Sequence, residues 1–246
     1  MAITDTLTLS DIDDTQLDSA TVSIIGNFAT GEDVLNFADQ SGITGSYDSL
    51  TGILSLTGTA SIADYQTALR SVSYENTSDD PSALSRTVSF TINDGALDSN
   101  SANRAIVFTA VNDAPVLAAI EGAATSYTEN DTPLVITSTL ALSDVDDVNL
   151  ESATVAISGN FTTGEDVLIF TDQSGITGSY DALSGILTLT GSASIADYQT
   201  ALRSVTYFNS SEDPSDLTRT ISFTINDGDV DSNICLLYTS PSPRDS

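Results

Sequence analysis

The chain has 246 residues, 35 acidic side chains against six basic ones, and a formal charge of −29. Such a surface repels nucleic-acid phosphates and anionic lipid, so neither is expected as a direct partner; the natural counterpart is a cation. Hydrophobic content of 40% against 17% charged, with regular apolar patterning, excludes a disordered acidic chain, and the absence of histidine excludes Ser-His-Asp and Cys-His catalysis and histidine metal sites.

One long sentence is written twice. SDIDDTQLDSATVSIIGNFATGEDVLNFADQSGITGSYD starts at Ser10, and SDVDDVNLESATVAISGNFTTGEDVLIFTDQSGITGSYD starts at Ser143, an offset of 143 − 10 = 133 residues. The offset holds to SFTINDGALDSN and SFTINDGDVDSN, which end at Asn100 and Asn233. A period this long means two tandem domains, each large enough for its own core. Met1 aligns with Leu134, so the chain is expected to begin part-way through a repeat. No apolar run reaches the length of a membrane span.

In chain order, the first acidic motif is Asp11-Ile-Asp13-Asp14. Ser61–Val72 then places Ile62, Tyr65, Leu69 and Val72 on a helical stripe, and Ser61 followed by Asp64 has capping-box spacing. Arg70 ends that helix, with an ion pair or the helix carbonyls as its expected partners. Val88, Phe90 and Ile92 alternate with polar residues, which predicts a half-buried strand closed by an Asn93-Asp94-Gly95 turn. Ala110–Gly122 is the expected linker, stiffened by Pro115, with the boundary near Asn112.

The second copy opens with Tyr127-Thr-Glu129-Asn130 and continues with Asp144-Val-Asp146-Asp147. Strands are expected around Val155 and Ile157, at Gly185–Gly191 and at Arg219–Asp227, with a helix at Ser194–Val205 ending in Arg203 and a turn at Asn226-Asp227-Gly228. About seven strands per complete module predict an all-β sandwich with one short helix. Cys235–Asp245, CLLYTSPSPRD, resembles one translated frame of a transposase sequencing adaptor, so residues 235–246 are set aside as an artefactual tail. That leaves the second module one strand short and the remaining sequence free of cysteine, in keeping with a secreted protein that does without disulfides.

The acidic motifs suit calcium, which takes six to eight oxygen ligands. In an extended Asp-x-Asp both carboxylates point the same way. Left without a cation, two charges 4 Å apart repel by about 4 kcal/mol at an effective dielectric of 20. An EF-hand is excluded: counting from Asp11, Gln16 stands where glycine is needed and Val22 where glutamate is needed. A solvated acidic turn is the bland alternative.

These residues resemble the cadherin-like tandem repeats of large bacterial adhesins. Val111–Val116, VNDAPV, is similar to the cadherin linker; Glu129-Asn130 to its Glu-Asn; Asp144-x-Asp146 to its Asp-x-Asp; and Asp94 to the aspartate before its last hairpin. The module body is also similar to the cadherin-like repeats of chondroitin sulfate proteoglycan cores. The resemblance implies tandem Greek-key sandwiches of cadherin-like or immunoglobulin-like type: residues 1–111, a repeat truncated at its N-terminus, and residues 112–234, one truncated at its C-terminus. It implies an extracellular or cell-surface location, and Ca2+ held by Asn112, Asp113, Glu129, Asp144, Asp146, Asp94, Asp11, Asp13 and Asp227. Its expected partners are calcium, neighbouring repeats and a cell-surface protein or glycan. Ala110 and Ala114 replace further oxygen ligands, which implies fewer or weaker ions. A structural, non-enzymatic spacer is therefore expected. The alternatives are a carbohydrate- or protein-binding accessory module of a secreted enzyme and a passive acidic filler.

Overall fold

The computed structural model describes residues 1–128 and 131–242. The chain divides into two compact units, Met1–Val111 and Asn112–Ser246. Both are all-β apart from one short helix each.

Unit 1 contains β1 (Gln16–Gly26), β2 (Asp33–Asn36), β3 (Thr44–Asp48), β4 (Ile53–Ser61), α1 (Ile62–Ser71), β5 (Ser73–Asn76), β6 (Arg86–Asn93) and β7 (Ala102–Ile106). Its main sheet has the order β3-β4-β1-β6-β7, and β2 pairs with β5 in the second. Leu17, Ala20, Val22 and Ile24 of β1 point inward. The odd step from Leu17 to Ala20 is a bulge between Leu17 and Ser19 that resets the two-residue period. Val88, Phe90 and Ile92 are buried as their alternation predicts.

Helix α1 packs against β1 and β4 with Tyr65, Ala68 and Leu69 fully buried. Ser61 Oγ accepts the Asp64 N–H at 3.1 Å and donates back to the Asp64 carboxylate. The carboxylate thus takes the cap hydroxyl rather than the cap backbone N–H of a standard capping box. Arg70 corrects its expected partners: Nε donates to the Leu7 carbonyl at 2.8 Å, tying the helix end to the preceding segment. Arg203 does the same to Leu140, also at 2.8 Å.

Unit 2 contains β8 (Val116–Ala118), β9 (Thr125–Thr128), β10 (Leu134–Val135), β11 (Ala141–Ser143), β12 (Asn149–Gly159), β13 (Asp166–Ile169), β14 (Thr177–Asp181), β15 (Ile186–Ser194), α2 (Ile195–Arg203), β16 (Thr206–Asn209), β17 (Arg219–Asn226) and β18 (Cys235–Ser242). The main sheet runs β14-β15-β12-β17-β18-β9; β10-β16-β13 forms the second, and β8 pairs with β11. The bulge recurs between Leu150 and Ser152.

Two expectations need correction. The stretch expected to be linker is partly strand: Pro115 and Leu117 are buried while Ala114, Val116 and Ala118 are exposed, the alternation of a paired strand. The second module also has a last strand. β18 pairs with β17 as Arg219↔Thr239, the register of Arg86↔Ile106 in unit 1. Leu237 and Thr239 turn inward and Leu236 and Tyr238 outward, so the tail residues satisfy the period of the open edge of β17.

A buried ion pair, absent from the sequence reading, anchors each core. Arg86 Nε and Asp33 Oδ2 lie 2.8 Å apart with side chains 1% and 0% exposed. Asp33 Oδ1 also accepts from the Tyr74 hydroxyl and from Asn76 Nδ2 at 2.8 Å, and Oδ2 from the Ala29 N–H at 2.7 Å. Against the desolvation that burial imposes, these donors hold the Asp33 carboxyl below its usual range. Arg219 and Asp166 repeat the pair at 3.0 Å. In unit 2 the guanidinium Nη2 donates to Thr162 Oγ1 at 3.4 Å. Unit 1 has Ala29 at the equivalent position, and Arg86 Nη2 is left buried without a partner. The Phe108 ring stands 4.7 Å from the Arg86 guanidinium carbon instead.

Candidate metal centre

Topology collects several of the candidate acids of unit 2 at one end. β12 and β17 are antiparallel neighbours with Ser152 opposite Asn226, so the loop before β12 and the loop after β17 emerge together. β8 and β11 are antiparallel with Val116 opposite Ser143, so the residues before β8 lie beside those after β11. Asn112–Asp113, Asp144–Asp147 and Asp227 therefore converge.

The local geometry differs from an extended Asp-x-Asp. Asp144 Oδ1 accepts the N–H groups of Asp146 at 3.2 Å and Asp147 at 3.1 Å, which folds the motif into a bend. The bend brings Asp147, three residues on, to Asp144; one oxygen each of Asp144, Asp147 and Asp227 lie within 4.8 Å of one another. Asp146 Oδ2 instead accepts the Asp113 N–H at 3.1 Å. Asp147 is the member the residue-by-residue reading did not select. The run of acids at positions one, three and four of a turn was the available signal.

Asp227 is 8% exposed. Its Oδ1 accepts from Asp229 N at 2.7 Å and Val230 N at 2.8 Å, and Oδ2 accepts from Asn112 Nδ2 at 2.9 Å. Burial opposes its charge, yet these donors hold its carboxyl below the usual range. Asp147 goes the other way: burial, then the charges of Asp144, Asp146, Asp227 and Asp229, push its carboxyl up. Two carboxylate oxygens here, Asp144 Oδ2 and Asp146 Oδ1, are buried without any hydrogen-bond partner. An all-oxygen donor set with two orphaned carboxylate oxygens fits a hard divalent cation such as calcium.

Unit 1 has a looser version. Asp11 Oδ1 accepts from Asp13 N at 3.1 Å and Asp14 N at 3.0 Å, and Asp11, Asp13 and Asp14 cluster within 4.8 Å. The Asp14 and Asp13 N–H groups draw the Asp11 carboxyl down, while partial loss of water around the exposed Asp14 and then the charges of Asp13, Asp11, Asp94 and Asp18 push Asp14 up. Asp94 organises its own turn, with Oδ1 accepting from Ala96 N and Leu97 N, both at 2.7 Å. Asp13 and Asp14 are exposed. Glu129 lies outside the described residues.

No family model matches the chain. Halomucin of Haloquadratum walsbyi is 39% identical over 88 residues, covering 34% of this chain and 1% of that protein. Among solved structures, the mouse clustered PcdhgC3 EC1-3 structure covers 86% of this chain and 55% of its own at 11% identity, with a TM-score of 0.27. The C-terminal domain of the Streptococcus pyogenes antigen I/II-family protein AspA covers 91% of this chain and 84% of its own at 11% identity, with a TM-score of 0.27. Scores this low carry no assignment of family.

Proposed function

We propose that the two units are calcium-stiffened spacer or adhesion repeats of a large secreted or cell-surface protein. The observation that carries this reading is the pair of buried, unpartnered oxygens, Asp144 Oδ2 and Asp146 Oδ1, beside the Asp144–Asp147–Asp227 cluster. Calcium would supply the positive charge that this arrangement lacks. Asp144 and Asp146 each give one oxygen to backbone N–H groups, which fixes its direction, and keep the other for the ion. The chain's own part is thus preorganisation: Asn112 and Asp113 are tied to Asp227 and Asp146, so a cation held there also immobilises the first residues of unit 2. With free calcium at ten times Kd, linkage gives about 1.4 kcal/mol per site.

The match to 88 residues of a relative roughly a hundred times longer agrees with a repeat carried in a very long chain. A sugar-binding platform has less support, because among the described aromatic residues Tyr238 alone is exposed. Titration calorimetry and thermal melts of the full chain, with calcium and with chelator, test the proposal. A calcium-dependent rise in melting temperature is expected; a flat titration at millimolar calcium would reject it.

A further inference from the structure

The chain carries far more negative charge than its own cations or the metal centre can answer. Lysine is absent, and all six cationic side chains are arginine. Arg86 and Arg219 are buried against Asp33 and Asp166. Arg70 and Arg203 each give Nε to a backbone carbonyl. Arg104 stands exposed on β7, and Arg244 lies outside the described residues. Setting aside Asp33 and Asp166 leaves 35 − 2 = 33 acids. One calcium ion offsets two charges of the formal −29.

Spacing decides which part of the repulsion matters. Over 12357 Å² of accessible surface, the net charge averages roughly one per 430 Å², a separation of roughly 20 Å. At 0.15 M ionic strength the screening length is about 8 Å, so repulsion across that separation is largely gone. The acids are bunched, however. One oxygen each of Asp11, Asp13 and Asp14 lie within 4.8 Å of one another, as do those of Asp144, Asp147 and Asp227. Loss of water and then four neighbouring carboxylates push up both Asp14 and Asp147. Glu165, Asp213 and Asp216 line one open pocket. That pocket is at the far end of the β12–β17 pair, where Gly159 faces Thr220, while the metal centre is at the end where Ser152 faces Asn226. At 4.8 Å a screening length of about 8 Å leaves roughly half of the repulsion, and one of about 3 Å, reached at 1 M, leaves roughly a fifth. Unfolding spreads these charges apart, so the repulsion bears on the compact state.

We infer that this surface takes a diffuse layer of monovalent cations as its partner, and that the fold reaches full stability only in a medium of about 1 M salt. The charge acts as a field over both units rather than as a site. Molar monovalent salt and millimolar calcium therefore stabilise the chain by separate routes.

The test melts the full chain in chelator across sodium chloride from about 0.01 to 2 M, and again in potassium chloride. The melting temperature should rise by about 10 °C or more, alike in both salts, and should still be climbing above 0.15 M. Glu165→Gln with Asp213→Asn and Asp216→Asn removes three charges remote from the metal centre. That variant should melt higher than the parent at low salt, gain less from added salt, and keep the parent's calcium isotherm. A melting temperature flat above 0.15 M would overturn the inference. Equal salt slopes in parent and variant would overturn it too, because salting-out strengthens apolar burial in both alike. A response to one of the two cations alone would assign the effect to a specific site and count against the field. Failure of the calcium reading leaves these outcomes standing, since every melt is run in chelator.

Discussion

Asn112 and Asp227, 115 positions apart, are joined by a 2.9 Å hydrogen bond from amide to carboxylate. The bond fastens the first residue of unit 2 to the turn after its penultimate strand. Asp227→Asn removes one charge from the cluster. Calcium affinity should fall at least about tenfold, and the calcium-free melting temperature near neutral pH should fall as well, since the donors that hold the Asp227 carboxyl low favour its charged form in the folded state. Parallel calorimetry and melts of the variant and the parent check both halves; a variant that binds calcium as tightly as the parent contradicts the assignment.

Acid titration of calcium-free unit 2 should show two opposed contributions. Burial raises the Glu121 carboxyl, but the Ser138 N–H and the Thr137 hydroxyl outweigh it and hold the group down at about 2. A lowered folded value means stability present above the ordinary carboxylate range and lost as pH falls toward about 2. Asp147 is raised, so its contribution is present at low pH and lost as pH climbs through its folded value. Glu121→Gln should flatten the acid limb of a urea-midpoint profile, and Asp147→Asn should flatten the decline above about pH 4.

Breaking the buried pair of unit 2 on one side leaves a charge without its partner. Asp166→Ala should destabilise the unit by about 3–5 kcal/mol. The double change Asp166→Leu with Arg219→Met should lose less, because both charges go together. Urea unfolding, monitored by tyrosine fluorescence, distinguishes the two.

Ala29→Thr in unit 1 should recreate the hydroxyl that Thr162 offers Arg219. Arg86 Nη2 would gain an acceptor, and the unit should become more stable by about 0.5–1 kcal/mol. An unchanged or lowered unfolding midpoint would mean that Phe108 already serves Arg86 fully.

Gly58 has a φ of 133°, and a Cβ there would stand 2.3 Å from the Gly42 carbonyl oxygen. Gly58→Ala should destabilise unit 1 by more than the roughly 1 kcal/mol that left-handed backbone alone imposes on alanine. Gly31→Ala is the control, with a φ of 87° but open space around it. Thermal melts of the two variants should therefore separate.

The period of 133 residues, the two-residue alternation and the Ser61–Asp64 spacing were all local signals, and each one specifies structure through the chain's own repeat geometry. They were enough for two modules, an all-β class and one capped helix per module. The acidic motifs were legible as candidates for the same reason, since D-x-D-D is a run of neighbours. Which of those acids meet was not legible, because the Asx bend at Asp144 exchanges Asp146 for Asp147 and only strand pairing brings Asp227 and Asn112 to them. The Asp33–Arg86 pair was hidden because its members are 53 positions apart and nothing near either one marks it. Sequence by itself thus determined periodicity, composition and turn chemistry; tertiary structure decided which polar groups lose water together, since desolvation depends on neighbours that the chain order does not name.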